Sequence, residues 1–304
     1  MVEWKHKNID WWKWKIGKEV VGFYFNTIRN DGGVSVFEED WDNLLILDAA
    51  RFDVTKEVFN DLSISTPVKK RRSRGACTGE FMEKNFRGVF NDTVYISANP
   101  SIDDNELDTF HNVVTLWDSD WDDEEGTVLP DTVVEKSLEI GERYPEKRLV
   151  VHFLQPHYPF LGSNIGGSVE ELRKDAKGDE RHEDVNPWRM VRDGIYDPDE
   201  VWNAYVENHR KVIPKAYKLG DELPGKSVLT SDHGNAMGAP LIKSLDLIDI
   251  YGHPWGVHLD EIVEVPWVEI DSSQRKPIVE EKPAATSDIS GDAKKRLKEI
   301  GYLA

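Results

Sequence analysis

The chain has 304 residues, of which 39% are hydrophobic and 31% are charged, and its formal net charge is −19. This length allows a large core, and the composition is typical of a globular rather than a disordered protein. The negative charge argues against a nucleic-acid partner and against broad attraction to anionic membranes, because both would require a basic surface.

Signals for targeting and for a redox compartment are few. Cys77 is the single cysteine, so no intramolecular disulfide can form. The sequence has no run of about 20 apolar residues, and residues 1–7 lack the apolar core of a signal peptide. We therefore expect a cytoplasmic protein without a transmembrane segment. The acidic composition is also compatible with a high-salt source.

Residues 1–36 are predicted to be an N-terminal arm that is both aromatic and basic. Its aromatic residues are Trp4, Trp11, Trp12, Trp14, Phe23, Tyr24 and Phe25, and its lysines are Lys5, Lys7, Lys13, Lys15 and Lys18. This composition is typical of a helix at a membrane interface, but also of an arm that packs on its own domain or on a second subunit. Peripheral membrane contact and oligomer formation are both open at this point.

Residues 37–271 alternate between strand and helix patterns. Apolar runs predict strands at 43–48, 92–97, 112–117, 148–154 and 227–231, and a last apolar stretch spans 263–270. Helical patterns occur at 49–60, 78–86, 129–142 and 201–219, where Pro214 is expected to kink or break the helix. We predict an α/β fold with a mostly parallel central sheet and helices on both faces.

Two further segments are predicted to lie outside this pattern. Residues 161–195 are polar and irregular, and we interpret them as an insertion or lid. Residues 272–304 are interpreted as a polar linker followed by a short C-terminal helix.

Ionisable side chains follow two of the predicted strands. Asp48 ends the first strand, and Asp232 and His233 end a later one, directly before Gly234. Ligand sites of open α/β sheets collect at the carboxyl ends of the strands, and glycine allows the chain to turn sharply there. Carboxylate and imidazole groups suit a divalent metal ion, although an Asp-His pair before a glycine also occurs in ordinary turns.

Thr78 is predicted to begin a helix. A hydroxyl at this position lies at the positive end of the helix dipole, where it either caps the helix or attacks a group that becomes an anion. A metal held by Asp48, Asp232 and His233 would lower the pKa of that hydroxyl and activate it as a nucleophile.

Other charged residues suggest an anion site. Lys69, Lys70, Arg71 and Arg72 lie in a predicted polar loop, which we interpret either as a solvated loop or as a rim that attracts a phosphate or sulfate group. Imidazole groups are available at 157, in a proline-rich loop after a predicted strand, and at 253 or 258. His152 lies within that strand and is expected to be a core residue, and the acidic residues 118–126 are expected to form a solvated loop.

These segments resemble, in order, the alkaline phosphatase superfamily and, within it, the sulfatase-like enzymes. The resemblance covers residues 43 to 303. Its motifs are the D-x-x-R-x-D pattern of Asp48-Ala-Ala-Arg51-Phe-Asp53, the nucleophile segment Ser73 to Phe81, the histidine loop Gln155-Pro-His157-Tyr-Pro159, the D-H-G of Asp232-His233-Gly234, Gly252-His253 followed by Val265-Pro266-Trp267, and the C-terminal ending Arg296 to Leu303.

The sequence departs from the sulfatases at the nucleophile. Cys77 is followed by Thr-Gly-Glu-Phe, so the C-x-P/A-x-R motif of the formylglycine enzymes is absent. Thr78 instead resembles the nucleophile of the threonine-using phosphodiesterases and of the phosphoglycerol and phosphoethanolamine transferases. Asn235 stands where many members have Glu.

The resemblance implies a metal-dependent hydrolase or transferase that acts on phosphate esters through Thr78. It implies one or two divalent ions (Mn, Zn, Mg or Ca) per chain and a small-molecule, glycan-linked or lipid-linked phosphate or sulfate ester as substrate. The implied metal ligands are Asp48, Thr78, Asp232 and His233, and the implied substrate-binding residues are Arg51, His157 and His253. The alternatives are a sulfatase without formylglycine and a catalytically inactive interaction protein.

Overall fold

The computed structural model describes residues 32–101, 109–165, 186–242, 245–272 and 274–281. The predicted N-terminal arm lies outside the described residues except for residues 32–36. The predicted C-terminal helix also lies outside them, as do residues 166–185 of the predicted lid.

Nine strands are described. They are β1 (Asn43–Asp48), β2 (Lys69–Arg72), β3 (Phe90–Ser97), β4 (Phe110–Thr115), β5 (Arg148–Pro156), β6 (Ser227–Ser231), β7 (Ala236–Ile242), β8 (Leu245–Gly252) and β9 (Glu264–Ile270). Seven of them form a sheet in the order β2-β9-β6-β1-β5-β3-β4, and β7 and β8 form a separate hairpin. The pairs among β6, β1, β5, β3 and β4 are parallel, whereas β9 is antiparallel to both β6 and β2. The predicted mostly parallel sheet is confirmed.

The helices are α1 (Phe52–Asp61), α2 (Thr78–Asn85), α3 (Leu116–Ser119), α4 (Pro130–Arg143), α5 (Pro187–Arg192), α6 (Pro198–Glu222) and α7 (Asp260–Val263), and a 3-10 helix spans Val36–Glu38. Within the described residues, no helix combines the length and the apolar character that a membrane crossing requires. The expected break at Pro214 is wrong, because α6 continues through it.

Helices cover both faces of the sheet, as predicted. On one face, Gly220 of α6 lies against the Leu45 side chain, and Gly141 of α4 lies against Leu149. On the other face, the ring of Phe86, directly after α2, contacts Tyr95 of β3. Because both faces are covered, the central strands are apolar on both sides, and all six residues of β1 are buried.

Lys69 to Arg72 form the edge strand β2 rather than the predicted loop. Their backbone pairs with β9, and their side chains meet acidic partners: Lys69 pairs with Glu269, Lys70 with Glu264, and Arg72 with Asp260. The segment contains no apolar alternation, so its strand conformation depends on a partner almost 200 residues away. Basic side chains on an edge strand also discourage pairing with other chains.

Two other predictions differ from the structure. The strand predicted at 112–117 begins and ends earlier, since β4 ends at Thr115 and a short helix follows. The β7-β8 hairpin was not predicted, because Gly238 and Pro240 interrupt the alternation by which a strand is recognised.

The packing of β1 predicts the consequence of truncating its central side chain. Leu45 is fully buried, so Leu45→Ala should lower the free energy of unfolding by about 2–5 kcal/mol through lost burial and a cavity. Leu62→Ala is the matched control, because Leu62 is 43% exposed, and its effect should be within about 0.5 kcal/mol. Urea unfolding followed by tryptophan fluorescence measures both, and equal effects would contradict the placement of β1 at the centre.

Candidate metal centre

Three predicted ligands meet at one edge of the sheet. Asp48 ends β1, while Asp232 and His233 directly follow β6, its parallel neighbour. His233 Nε2 lies 3.4 Å from Asp48 Oδ1 and 3.4 Å from Asp232 Oδ2. The three side chains are therefore positioned by two adjacent strand ends, as expected for a site in an open α/β sheet.

Thr78 joins this group from the first residue of α2. Its Oγ1 lies 3.3 Å from His233 Nε2. Cys77 occupies the N-cap position of the helix and makes no side-chain capping bond there. The capping interpretation of Thr78 therefore does not describe its position, and its hydroxyl faces the three ligands instead.

The carboxylates leave room for a cation. Asn99 donates a 2.6 Å hydrogen bond to Asp48 Oδ2, and the backbone N–H groups of Ala49 and His233 donate to Asp232 Oδ1. The other oxygens, Asp48 Oδ1 and Asp232 Oδ2, are buried and have no hydrogen-bond partner. Buried polar atoms are normally satisfied, so these two oxygens fit a divalent metal that would bind between them.

The tautomer of His233 also suits metal binding. Its Nδ1 lies 2.7 Å from the carbonyl oxygen of Gly234, which can only accept a hydrogen bond. Nδ1 therefore carries the hydrogen, and Nε2 presents its lone pair toward Asp48 and Asp232. This arrangement is common among metal-binding histidines.

His152 adds a fourth buried group that the sequence analysis assigned to the core. Its Nε2 has no hydrogen-bond partner and lies 3.9 Å from Asp232 Oδ2, while its Nδ1 lies 2.6 Å from the Tyr95 hydroxyl. Ligand atoms of Asp48, His152 and Asp232 all lie within 4.8 Å of one another. Burial lowers the pKa of His152 to about 4, so its imidazole is neutral and able to bind a metal.

The two aspartates differ in their ionisation. Burial, followed by the charge of Asp232, raises the pKa of Asp48 well above its usual value. Burial also raises the pKa of Asp232, but the nearby His233 and His152 outweigh that effect, and the pKa of Asp232 lies below its usual value. A bound cation would favour the charged form of both groups.

Both histidines predicted to bind substrate lie beside this centre. His157 Nε2 is 3.2 Å from His253 Nε2, and the rings of His253 and His233 have centroids 4.4 Å apart. Burial lowers the pKa of His157 to about 4 and that of His253 well below its usual value. The two imidazoles therefore form a neutral, buried pair next to the metal ligands.

Asn208 of α6 supports the loop that carries His157. Its amide nitrogen lies 3.2–3.3 Å from the carbonyl oxygens of Pro156, His157 and Pro159, and its Oδ1 accepts from the backbone of Leu161. Sequence analysis missed this residue, because a single Asn on a helical pattern gives no sign of a loop that it will contact.

Arg51 has a different set of partners from the one predicted for a substrate contact. Its guanidinium group binds the Asp53 carboxylate through two nitrogens, donates to the carbonyl oxygen of Asn235 and lies over the ring of Trp202. Arg51 therefore stabilises the turn after His233 through its hydrogen bond to the Asn235 backbone. A contact between Arg51 and a substrate stays a prediction.

Comparison with family models and with curated proteins finds no match for this sequence. Several solved structures have a similar fold. The integral membrane lipooligosaccharide phosphoethanolamine transferase A from Neisseria meningitidis is 15% identical with a TM-score of 0.47, and the match covers 76% of this chain and 47% of that one. This chain therefore spans about half the length of that protein.

Two more structures show the same type of similarity. The C-terminal periplasmic domain of EcEptC from Escherichia coli, described in complex with Zn, is 14% identical with a TM-score of 0.46, covering 76% of this chain and 72% of that one. A protein in the alkaline phosphatase superfamily from Vibrio parahaemolyticus is 11% identical with a TM-score of 0.44, covering 85% and 65%. The description of this last structure names the same superfamily that the sequence motifs resemble.

The predicted cytoplasmic location is contradicted by these comparisons. The similar E. coli structure is a domain described as periplasmic, and the similar N. meningitidis structure is an integral membrane protein. The prediction rested on Cys77 being the single cysteine and on the composition of residues 1–7. A domain with a large core needs no disulfide in either compartment, so the cysteine count could not identify one.

The geometry predicts which aspartate substitution removes the metal. Asp232→Asn preserves shape but loses the charge, so the affinity for zinc or manganese should fall at least about 100-fold. Asp61→Asn is the control, because Asp61 is an exposed acid of α1 and should leave affinity unchanged. Isothermal titration with each metal measures both variants. Equal affinities would show that the ion binds elsewhere.

Proposed function

We propose that this chain is a metal-dependent hydrolase or transferase that acts on phosphate esters through Thr78. The position of Thr78 Oγ1, 3.3 Å from His233 Nε2 and at the start of α2, carries this proposal. A phosphoryl group attacked from there would lie at the N-terminal end of a helix, where the backbone N–H groups and the helix dipole favour an anion.

The residues around Thr78 fit a metal-assisted reaction. Asp48, Asp232, His233 and Thr78 itself would hold the ion, with His152 as a further candidate ligand. When bound, a divalent ion lowers the pKa of a coordinated hydroxyl and offsets the negative charge of phosphoryl oxygens. Asn99 fixes the orientation of the Asp48 carboxylate by its 2.6 Å hydrogen bond.

The first chemical step forms a bond between Thr78 Oγ and phosphorus and breaks the bond from phosphorus to the leaving oxygen. Thr78 loses its hydroxyl proton to solvent water, and the leaving oxygen gains a proton. His157 and His253, whose Nε2 atoms lie 3.2 Å apart, would supply that proton. An arriving phosphate anion would offset the burial that keeps their imidazoles neutral, and would so favour proton uptake by the pair.

The second step releases the phosphoryl group from Thr78. Attack on phosphorus by water completes hydrolysis, whereas attack by an acceptor alcohol completes transfer. In both cases the bond from phosphorus to Thr78 Oγ breaks, and the Thr78 oxygen takes up the proton that the attacking hydroxyl loses. A small-molecule, glycan-linked or lipid-linked ester satisfies this chemistry equally.

Cys77 gives no support to a formylglycine mechanism. It lacks the modification motif, and burial raises the pKa of its thiol to about 12, which keeps the sulfur protonated at neutral pH. A sulfate ester would therefore also have to react at Thr78.

Two neighbouring substitutions test the choice of nucleophile. Thr78→Ala should lower turnover by at least about 10³-fold while zinc stays bound through Asp48, Asp232 and His233. Cys77→Ala should keep turnover close to that of the unmodified chain. The assay is a screen of phosphomonoesters, phosphodiesters and sulfate esters with Zn, Mn, Mg or Ca. Activity kept by Thr78→Ala and lost by Cys77→Ala would show that the nucleophile is the cysteine.

A further inference from the structure

Glu80 is a buried carboxylate two residues after Thr78. It lies in the first turn of α2, and it is only 1% exposed. Its Oε1 accepts from Lys84 Nζ at 2.6 Å and from His258 Nε2 at 2.9 Å. Its Oε2 accepts from the backbone N–H groups of Ala76 at 2.8 Å and Gly256 at 3.2 Å. Each oxygen therefore has two donors.

These donors come from two separate parts of the chain. Ala76 lies two residues before Thr78, whereas Gly256 and His258 belong to the loop that begins at His253. The Glu80 carboxylate therefore forms hydrogen bonds both with the segment that precedes Thr78 and with the loop that begins at His253. Ordinary helix capping would account for Ala76, but not for the two bonds to residues almost 180 positions away.

Close packing between the same segments is independent support. A Cβ atom on Gly79 would lie 3.0 Å from the Trp255 ring, so the loop lies directly against the first turn of α2. A side chain at position 79 would therefore require the Trp255 ring to shift by a few tenths of an ångström.

We propose that Glu80 is a positioning residue that fixes Thr78 relative to His253. This inference rests on the proposed function, since it assigns both of those residues to one reaction. Catalysis by positioned groups is sensitive to displacements of about 1 Å, which can cost about 100-fold in rate. Loss of the Glu80 carboxylate would allow the 253–258 loop to move away from α2.

Kinetics of Glu80→Ala are the first test. We expect kcat to fall about 10- to 100-fold with a much smaller change in KM, and zinc to stay bound, because Asp48, Asp232 and His233 are untouched. Glu83→Ala is the matched control, since Glu83 is an exposed acid on the same helix. If the two variants have the same kcat, Glu80 does not position the reacting groups.

A second pair of variants keeps the test decisive if Glu80→Ala does not fold. His258→Leu removes one donor to Glu80 without changing α2, whereas His258→Gln keeps an N–H donor. We expect kcat to fall about tenfold in His258→Leu and to recover in His258→Gln, as for a lost positioning contact. Equal kcat values for these two variants would overturn the proposal.

A structural measurement separates this proposal from the proposed function. In proton–nitrogen spectra of the zinc-loaded protein, the His253 ring signals should shift in Glu80→Ala and stay in place in Glu83→Ala, while those of buried His209 stay in place in both. Unchanged His253 signals would overturn the positioning role even if the chain hydrolyses no ester. If instead Thr78→Ala keeps full turnover, the proposed function fails, and the His253 signals still decide the role of Glu80.

Discussion

Asp48 and Asp232 bring two carboxylates into the interior at the ends of neighbouring strands, and each leaves one oxygen without a hydrogen-bond partner. Burying a charge is costly unless it is paired or binds a metal. Repulsion between the two groups adds to this cost, as the raised pKa of Asp48 indicates. A divalent ion would satisfy both oxygens at once.

The pairing register of the sheet places Asp48, Asp232 and His152 close together. Leu47 pairs with Ser231 across β1 and β6, so the next residues, Asp48 and Asp232, lie side by side where the strands end. His152 is in register with Ile46 on the other neighbour of β1, which directs its ring to the same face. Three adjacent strands therefore position the candidate ligands Asp48, Asp232 and His152 at one end of the sheet.

His157 and His253, which would act on the substrate, lie on loops rather than within strands. A buried polar side chain forms hydrogen bonds with each of these loops. Asn208 binds the carbonyl oxygens around His157, and Glu80 binds the loop that begins at His253. Satisfied buried polar groups of this kind restrict a loop to one arrangement. Asn208 lies outside the motifs of the family resemblance, whereas Glu80 lies within the nucleophile segment Ser73 to Phe81 but gave no local sign of the distant loop that it contacts.

Features with a local sequence signal were predictable. β1 was found because its apolar run is continuous, and Asp48 and Asp232 were found because ionisable side chains follow such runs. The position of His152 beside Asp232 was not predicted, because the neighbours of a strand residue depend on register, which a single strand does not reveal. Lys69 to Arg72 were misassigned because their strand conformation comes from distant pairing with β9. The cytoplasmic location was wrong because one cysteine does not identify a compartment.

Anomalous diffraction at the zinc edge from crystals of the zinc-loaded protein tests the central claim most directly. A shared metal centre predicts a strong peak within bonding distance of Asp48 Oδ1, Asp232 Oδ2, His233 Nε2 and Thr78 Oγ1. It would be contradicted if zinc bound only at other residues, with the two buried aspartate oxygens left without a ligand.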